Sequence, residues 1–302
     1  MSRILITGVD GFTGRYLAPE LAAAGHEVHG LMNRDLAAGE APLPGVHRLH
    51  VCNLLDREGL ARVVLEARPA KVAHLAAIAF VAHDDVEAIY RTNVIGTRHL
   101  LSALADDRLA VTAALLASSA NIYGNNTEGV LDESVAPAPA NDYAVSKLAM
   151  EYLARTWVHR LPITIVRPFN YTGVGQSESF LLPKIVAHFK RRAPVLELGN
   201  LDVERDFSDV RTVADCYLRL LGANVAGGVF NVCSGQGHKL QEVLRMATEA
   251  TGHSPDIVVN PAFVRANEVR RLVGSKRALE AAIGPVSGPD LADTLRWMLS
   301  SR

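Results

Sequence analysis

Along the first half of the chain, short runs that are apolar almost without interruption alternate with longer stretches whose apolar residues return every three or four positions. The runs are RILIT at 3–7, EVHGL at 27–31, VHRLHV at 46–51, KVAHLA at 71–76, TAALLA at 112–117 and ITIVR at 163–167. A strand reads this way when both of its faces are covered. Between the runs, Leu17, Leu21 and Ala24, and then Leu60, Val63, Val64 and Ala67, fall on single faces of helices. Strand and helix in alternation predict an α/β fold, a doubly wound parallel sheet with helices on both sides.

After ITIVRPFN the rhythm changes. A helix carrying Leu182, Ile185, Val186 and Phe189 leads to KRR and to VLELGN, which reads as an isolated strand. SDVRTVADCYLRLLGA and VFNVCSG then return to the helix and strand pattern of the sheet. KLQEVLRMATEATG follows as a helix with Leu240, Val243, Leu244 and Ala247 on one face and Gly252 as its stop. The expected division is therefore interleaved: residues 1–170 with about 208–236 form one unit, and about 171–207 with 237–302 form a smaller α/β unit that holds substrate.

Bulk properties exclude several classes. The 302 residues carry a formal net charge of −1 with both signs mixed, so there is no basic footprint for nucleic acid. Cys52, Cys216 and Cys233 are few and far apart, as free thiols of a reducing compartment would be. No run approaches a membrane span and no cleavage site follows the N-terminal strand, so a cytoplasmic protein without a membrane partner is expected. The histidines lack ligand spacing such as HExxH, and no metal site is expected. The basic end of FKRR at 189–192 suits a helix C-terminus, with steering of an anionic substrate as the alternative.

TGVDGFTG follows the first strand and sets Gly8, Gly11 and Gly14, with Phe12 and Thr13, ahead of a helix. That context fits a Rossmann turn, where glycine lets backbone approach a pyrophosphate and the helix N-terminus supplies N–H donors. At the end of the second strand the chain reads Met32, Asn33, Arg34. An arginine there can meet a 2′-phosphate and favours NADP(H); Asp35, one residue on, leaves NAD(H) and its ribose hydroxyl open.

Farther on, Tyr143 and Lys147 stand four apart in NDYAVSKLAM, on one face of an expected helix. Reduction of a carbonyl needs a proton for the developing alkoxide, and an ammonium one turn away is expected to lower the pKa of the phenol that supplies it. Ser118 and Ser119 end the fifth strand, where open α/β sheets place their ligand crevice.

The glycine turn, the strand-end serines and the YxxxK helix, in this order, resemble the extended short-chain dehydrogenase/reductase (NAD-dependent epimerase/dehydratase) family over nearly the whole chain. The resemblance implies that Ser119 is the catalytic hydroxyl, Tyr143 the acid/base, and Lys147 the group that orients the nicotinamide ribose. It places Asn53, Leu54 and the HLAA segment (Leu75, Ala76, Ala77) beside the cofactor, with Asn93 as a bracing or water-holding residue. Ile78, Asn121, Asn170 and Lys184 fall at substrate-contacting places.

The C-terminal half is similar to nucleotide-sugar enzymes, above all to GDP-4-keto-6-deoxy-D-mannose reductases. This implies a GDP-sugar partner, with Arg205 and Arg265 gripping the diphosphate and Glu268 on the nucleoside side. Arg205 could instead pair with Asp206 or Asp209. Dehydratases of this fold place proton-transferring groups where this chain has Ala120 and Asn121, which cannot transfer protons. An NAD-dependent 4-epimerase and a non-catalytic NADP-binding sensor remain as alternatives. The family also implies a homodimer through helices around 84–106 and 142–160, with Ala149, Tyr152 and Leu153 as candidate contacts. The chain departs from the family at Asn53, Ile78 and Ala266, and lacks the usual C-terminal Gly-Trp-Lys-Pro phrase.

Overall fold

The computed structural model describes residues 1–37, 39–79, 85–125, 129–264 and 270–301. In chain order the elements begin β1 (Arg3–Thr7), α1 (Phe12–Ala23), β2 (Glu27–Met32), β3 (Arg48–Val51), α2 (Arg57–Ala67), β4 (Lys71–His74) and α3 (Val86–Tyr90). A π-turn at Arg91–Gly96 leads into α4 (Thr97–Leu104), followed by β5 (Ala113–Ala117), α5 (Asp142–Arg155) and β6 (Ile163–Pro168). Then come β7 (Asn170–Thr172), α6 (Leu181–Lys190), β8 (Val195–Leu198), β9 (Glu204–Asp209), α7 (Val210–Gly222) and β10 (Val229–Val232). The chain closes with β11 (Gly237–Lys239), α8 (Leu240–Thr251), β12 (Asp256–Val259), β13 (Arg271–Leu272), α9 (Arg277–Ile283) and α10 (Leu291–Ser300).

Seven strands form one parallel sheet in the order β10-β6-β5-β4-β1-β2-β3. The period-two geometry of its strands explains their unbroken apolar runs. Ile4 and Ile6 face a core built with Leu17 and Leu21 of α1 and Val213, Tyr217 and Leu220 of α7. Leu5 faces the opposite core, built with Leu60 and Val64 of α2, Leu100 and Leu101 of α4, and Met150 and Ala154 of α5. Leu115 and Leu116 of β5 divide between the two cores in the same way.

The chain leaves this sheet after β6, returns with α7 and β10, and leaves again. Outside it, β9 is flanked by β7, β11 and β13. Leu182, Ile185 and Phe189 of α6, Val243 and Ala247 of α8, and Leu295 and Met298 of α10 form a third core. VLELGN is expected from sequence to be an isolated strand, but β8 within it pairs in parallel with β12. The positively charged end of α6 is tied down, Lys190 to the Ser301 carbonyl and Arg191 to Glu178. Cys52, Cys216 and Cys233 are free thiols. No helix among the described residues is long and apolar enough to cross a membrane.

Candidate active site

A cleft of about 1110 Å³ opens at the C-terminal end of the parallel strands and runs from the β1 turn towards α6. Its first wall is the glycine turn. Gly8 has a φ of +69°, and a Cβ there would stand 2.8 Å from the Ala76 backbone. A Cβ on Gly14 would stand 2.6 Å from the carbonyls of Gly8 and Val9. Gly11 begins α1 without a side-chain cap, so the helix presents bare N–H donors to the cleft. A turn this close to its neighbours, ending on an uncapped helix, fits the pyrophosphate of a dinucleotide.

Phe12, Thr13, Leu75 and Ala77 line the same end, while Ala76 lies beneath Gly8. The Thr13 hydroxyl is within 2.7 Å of the Tyr171 phenol oxygen, and the Phe12 and Tyr171 rings stack with centroids 5.9 Å apart. Asn53 is exposed and accepts from the Leu55 N–H, and Leu54 is buried where it would meet any Cβ on Gly96. Asn33 is exposed at the end of β2. Arg34 beside it is gripped by Glu40, at 2.7 and 2.9 Å, and approached by Asp10 at 3.4 Å.

Asn93 sits behind the cleft wall. Its amide accepts from the Ile78 N–H at 2.9 Å and donates to the Ile78 carbonyl and to Ser146 Oγ, at 3.1 and 3.0 Å. Ser146 in turn donates to the Tyr143 carbonyl. The π-turn aims this amide, so the segment after β4 and helix α5 are braced through one side chain.

At the middle of the cleft three groups converge. Ser119 follows β5 and caps the next turn by accepting from the Asn121 N–H. Tyr143 and Lys147 come from α5, whose first turn is capped by the Asn141 side chain. All three are buried and line the cleft. Lys147 Nζ donates to the Ala117 carbonyl at 2.8 Å and lies 6.0 Å from the centre of the Tyr143 ring.

Burial pushes the Tyr143 phenol up to about 12, opposed by a hydrogen bond with Ser119 and reinforced by Tyr171. The net direction is upward, where the sequence leads to the expectation of a lowered phenol. The Lys147 ammonium is held by the Ala117 carbonyl. Burial also draws Lys147 down to about 8, opposed by Glu151 one turn farther along α5. Near neutral pH the pair is therefore a protonated phenol and an ammonium, which can give a proton and balance the charge left behind.

A buried network holds α5 in place. Glu151 accepts from Arg167 of β6 at 3.0 and 2.8 Å; Arg167 also donates to the Tyr123 hydroxyl, and Tyr123 donates to Asn231. Sequence reasoning missed Glu151 and the role of Arg167, although an acid one turn after the lysine was visible. Ser118, named with Ser119 at the strand end but given no role, has its Oγ buried without a partner.

Asn121, Asn170, Lys184 and Arg205 line the far part of the cleft. Lys184 Nζ stands 3.9 Å from the centre of the Phe263 ring, an aromatic wall that sequence gave no reason to single out. The aspartates that might have claimed Arg205 are committed elsewhere. Asp206 accepts from Ser234 and Gly235, and Asp209 from Arg211 and Thr294. Arg205 itself donates to the Glu204 and Arg270 carbonyls. Ile78 does not line the cleft, and Arg265 and Glu268 lie outside the described residues. Among the described residues, no group of three His, Cys, Asp or Glu could hold a metal ion.

The chain is 36% identical to GDP-6-deoxy-D-mannose reductase of Pseudomonas aeruginosa, covering 99% of this chain and 96% of that one. It is 32% identical to GDP-6-deoxy-D-talose 4-dehydrogenase of Aggregatibacter actinomycetemcomitans, over 93% and 91% of the two chains. The solved structure of RMD from Pseudomonas aeruginosa complexed with NADPH superposes with a TM-score of 0.86, at 34% identity over 99% and 98% of the chains. Residues 4–233 match the model of the NAD dependent epimerase/dehydratase family, and the chain belongs to that family.

Proposed function

We propose that the chain is an NADPH-dependent reductase of the C4 ketone of a GDP-4-keto-6-deoxyhexose, converting GDP-4-keto-6-deoxy-D-mannose to GDP-D-rhamnose. The observation that carries the reading is the convergence of Ser119, Tyr143 and Lys147 between a dinucleotide turn and an arm of the cleft that holds Lys184 and Arg205. The names of the relatives support the substrate, and the NADPH complex of the Pseudomonas structure supports the cofactor.

When bound, reduced nicotinamide supplies the hydride for C4. Ser119 donates a hydrogen bond to the ketone oxygen, and Tyr143 gives its proton to the oxygen as negative charge develops there. Lys147 balances the phenolate that remains. Its anchor on the Ala117 carbonyl places it on the strand end from which Ser119 is also presented. By the resemblance, Arg205 and Arg265 are the cations for the diphosphate and Glu268 serves the nucleoside. Ala120 is buried and apolar, and Asn121 transfers no proton, so the two positions at which dehydratases carry the extra acid/base hold none here.

In the same reading, the protein acts in the cytoplasm as a homodimer. Exposed Ile95, Val145 and Tyr152 supply apolar surface around α4 and α5, and sedimentation of the purified chain tests the assembly. The reaction is tested by following the reduced-nicotinamide absorbance band with NADPH or NADH and GDP-4-keto-6-deoxy-mannose made in place by a dehydratase. Loss of absorbance with formation of a single sugar supports the reductase. An unchanged band, with NAD retained in the purified protein, would replace it with the epimerase.

A further inference from the structure

The end of β2 carries a charge arrangement that the sequence did not suggest. The Arg34 fork grips the Glu40 carboxylate with two bonds, 2.7 and 2.9 Å long, and its Nε faces Asp10 at 3.4 Å. Glu40 is held in place from its other side by the Ala37 N–H at 3.0 Å, and Arg15 approaches it at 4.0 Å. Arg15 is itself fixed by a bond from its Nε to the Asp10 carbonyl. Two arginines and two acids thus surround the point where β2 meets the glycine turn, with no net charge between them.

A planar carboxylate bound by both arms of a guanidinium occupies the positions that two oxygens of a phosphate would take. We propose that Glu40 is a selectivity latch: it occupies the Arg34 fork, so that a 2′-phosphorylated adenosine binds by displacing it, while an unphosphorylated ribose does not meet the competition. The inference rests on the reading that the cofactor's adenosine ribose lies at the end of β2. It assigns the balance between phosphorylated and unphosphorylated cofactor to Arg34 and Glu40 jointly rather than to the arginine alone.

The size of the effect follows from exposure. The Arg34 and Glu40 side chains are about two-fifths and one-quarter exposed, so their bond is partly screened and a ligand can break it. Releasing the fork and removing one negative charge from the path of a phosphate together predict about three- to tenfold tighter binding. Glu40→Gln is the suitable variant, since its amide oxygen can still accept from Ala37 and hold the segment.

The experiment is calorimetric titration of the full-length chain with 2′,5′-ADP and with 5′-AMP, at low and high salt, for the native protein, Glu40→Gln and Arg34→Ala. The latch predicts tighter 2′,5′-ADP binding in Glu40→Gln, a gain that shrinks at high salt, and 5′-AMP affinity within twofold of native. Arg34→Ala should weaken 2′,5′-ADP about tenfold or more, the loss expected for a charge-assisted bond. If Arg34→Ala has this effect but Glu40→Gln leaves 2′,5′-ADP unchanged or weaker, the latch is overturned and the arginine reading stands. If Glu40→Gln weakens 5′-AMP, the carboxylate is a ribose acceptor and the latch is likewise overturned. If Arg34→Ala changes neither ligand, the adenosine ribose does not lie here, and the cofactor reading on which the latch rests fails with it.

Discussion

Replacing Glu151 with Ala tests whether the helix that carries Tyr143 and Lys147 is held by its buried ion pair. Glu151 is fully buried and Arg167 is 3% exposed, and two bonds join them at 3.0 and 2.8 Å. Without the carboxylate, the guanidinium keeps only the Tyr123 hydroxyl at 2.9 Å and a long contact to the Glu133 carbonyl at 3.4 Å. A charge left desolvated in this way costs about 3–5 kcal/mol, a large part of the roughly 5–15 kcal/mol that holds a domain folded. Urea unfolding followed by far-ultraviolet circular dichroism should show the midpoint fall with the slope preserved. The double variant Glu151→Leu with Arg167→Met removes both charges and should recover most of the loss, because an apolar pair of similar volume replaces the ion pair at little cost. A loss below about 1 kcal/mol in Glu151→Ala would refute the argument, since it would mean that water or another group takes over the arginine.

Two further outcomes follow from the site. Lys147 is charged below its value of about 8 and neutral above it, whereas Tyr143 stays protonated until about 12, so kcat/KM for reduction should fall as pH rises through about 8. Lys147→Arg, which cannot discharge, should lose that alkaline fall even if slower overall; a native profile flat to about pH 10 would count against the assignment. Gly14→Ala puts a Cβ 2.6 Å from two backbone carbonyls that cannot yield cheaply, so NADPH affinity by nicotinamide fluorescence should weaken tenfold or more. Affinity within twofold of native would show that the turn does not cradle the cofactor.

What could be read from the chain and what could not divides along physical lines. The strands of the main sheet announce themselves because each is covered on both faces, and a run such as RILIT has no polar position to spare. The strands around β9 give no such signal. ERDFSD looks like a polar loop, yet its residues from Arg205 to Asp209 are buried, made tolerable by bonds from Ser234, Gly235, Arg211 and Thr294 to its aspartates. Burial by polar satisfaction leaves no hydrophobic pattern to detect. β7, β11 and β13 are two or three residues long, too short for any periodicity.

The site shows the same division. Tyr143 and Lys147 were legible from their spacing on one helix, and Ser119 from the family resemblance of the strand end that carries it. The partners that set their behaviour were not, since Arg167 meets Glu151, and Asn93 meets Ile78, only once the sheet brings them together. The direction of the Tyr143 shift was not legible for a related reason: spacing placed an ammonium near a phenol, but only the fold shows how deeply the phenol is buried and that Ala117 holds the lysine.

The most direct test of the whole account is single-turnover reduction by Tyr143→Phe beside the native protein, with NADPH and the 4-keto sugar nucleotide both saturating. If the phenol supplies the proton, the rate falls by about two to four orders of magnitude while the affinity for GDP stays within twofold of native. A rate within a few-fold of native would contradict the account, for then the proton at C4 does not come from Tyr143.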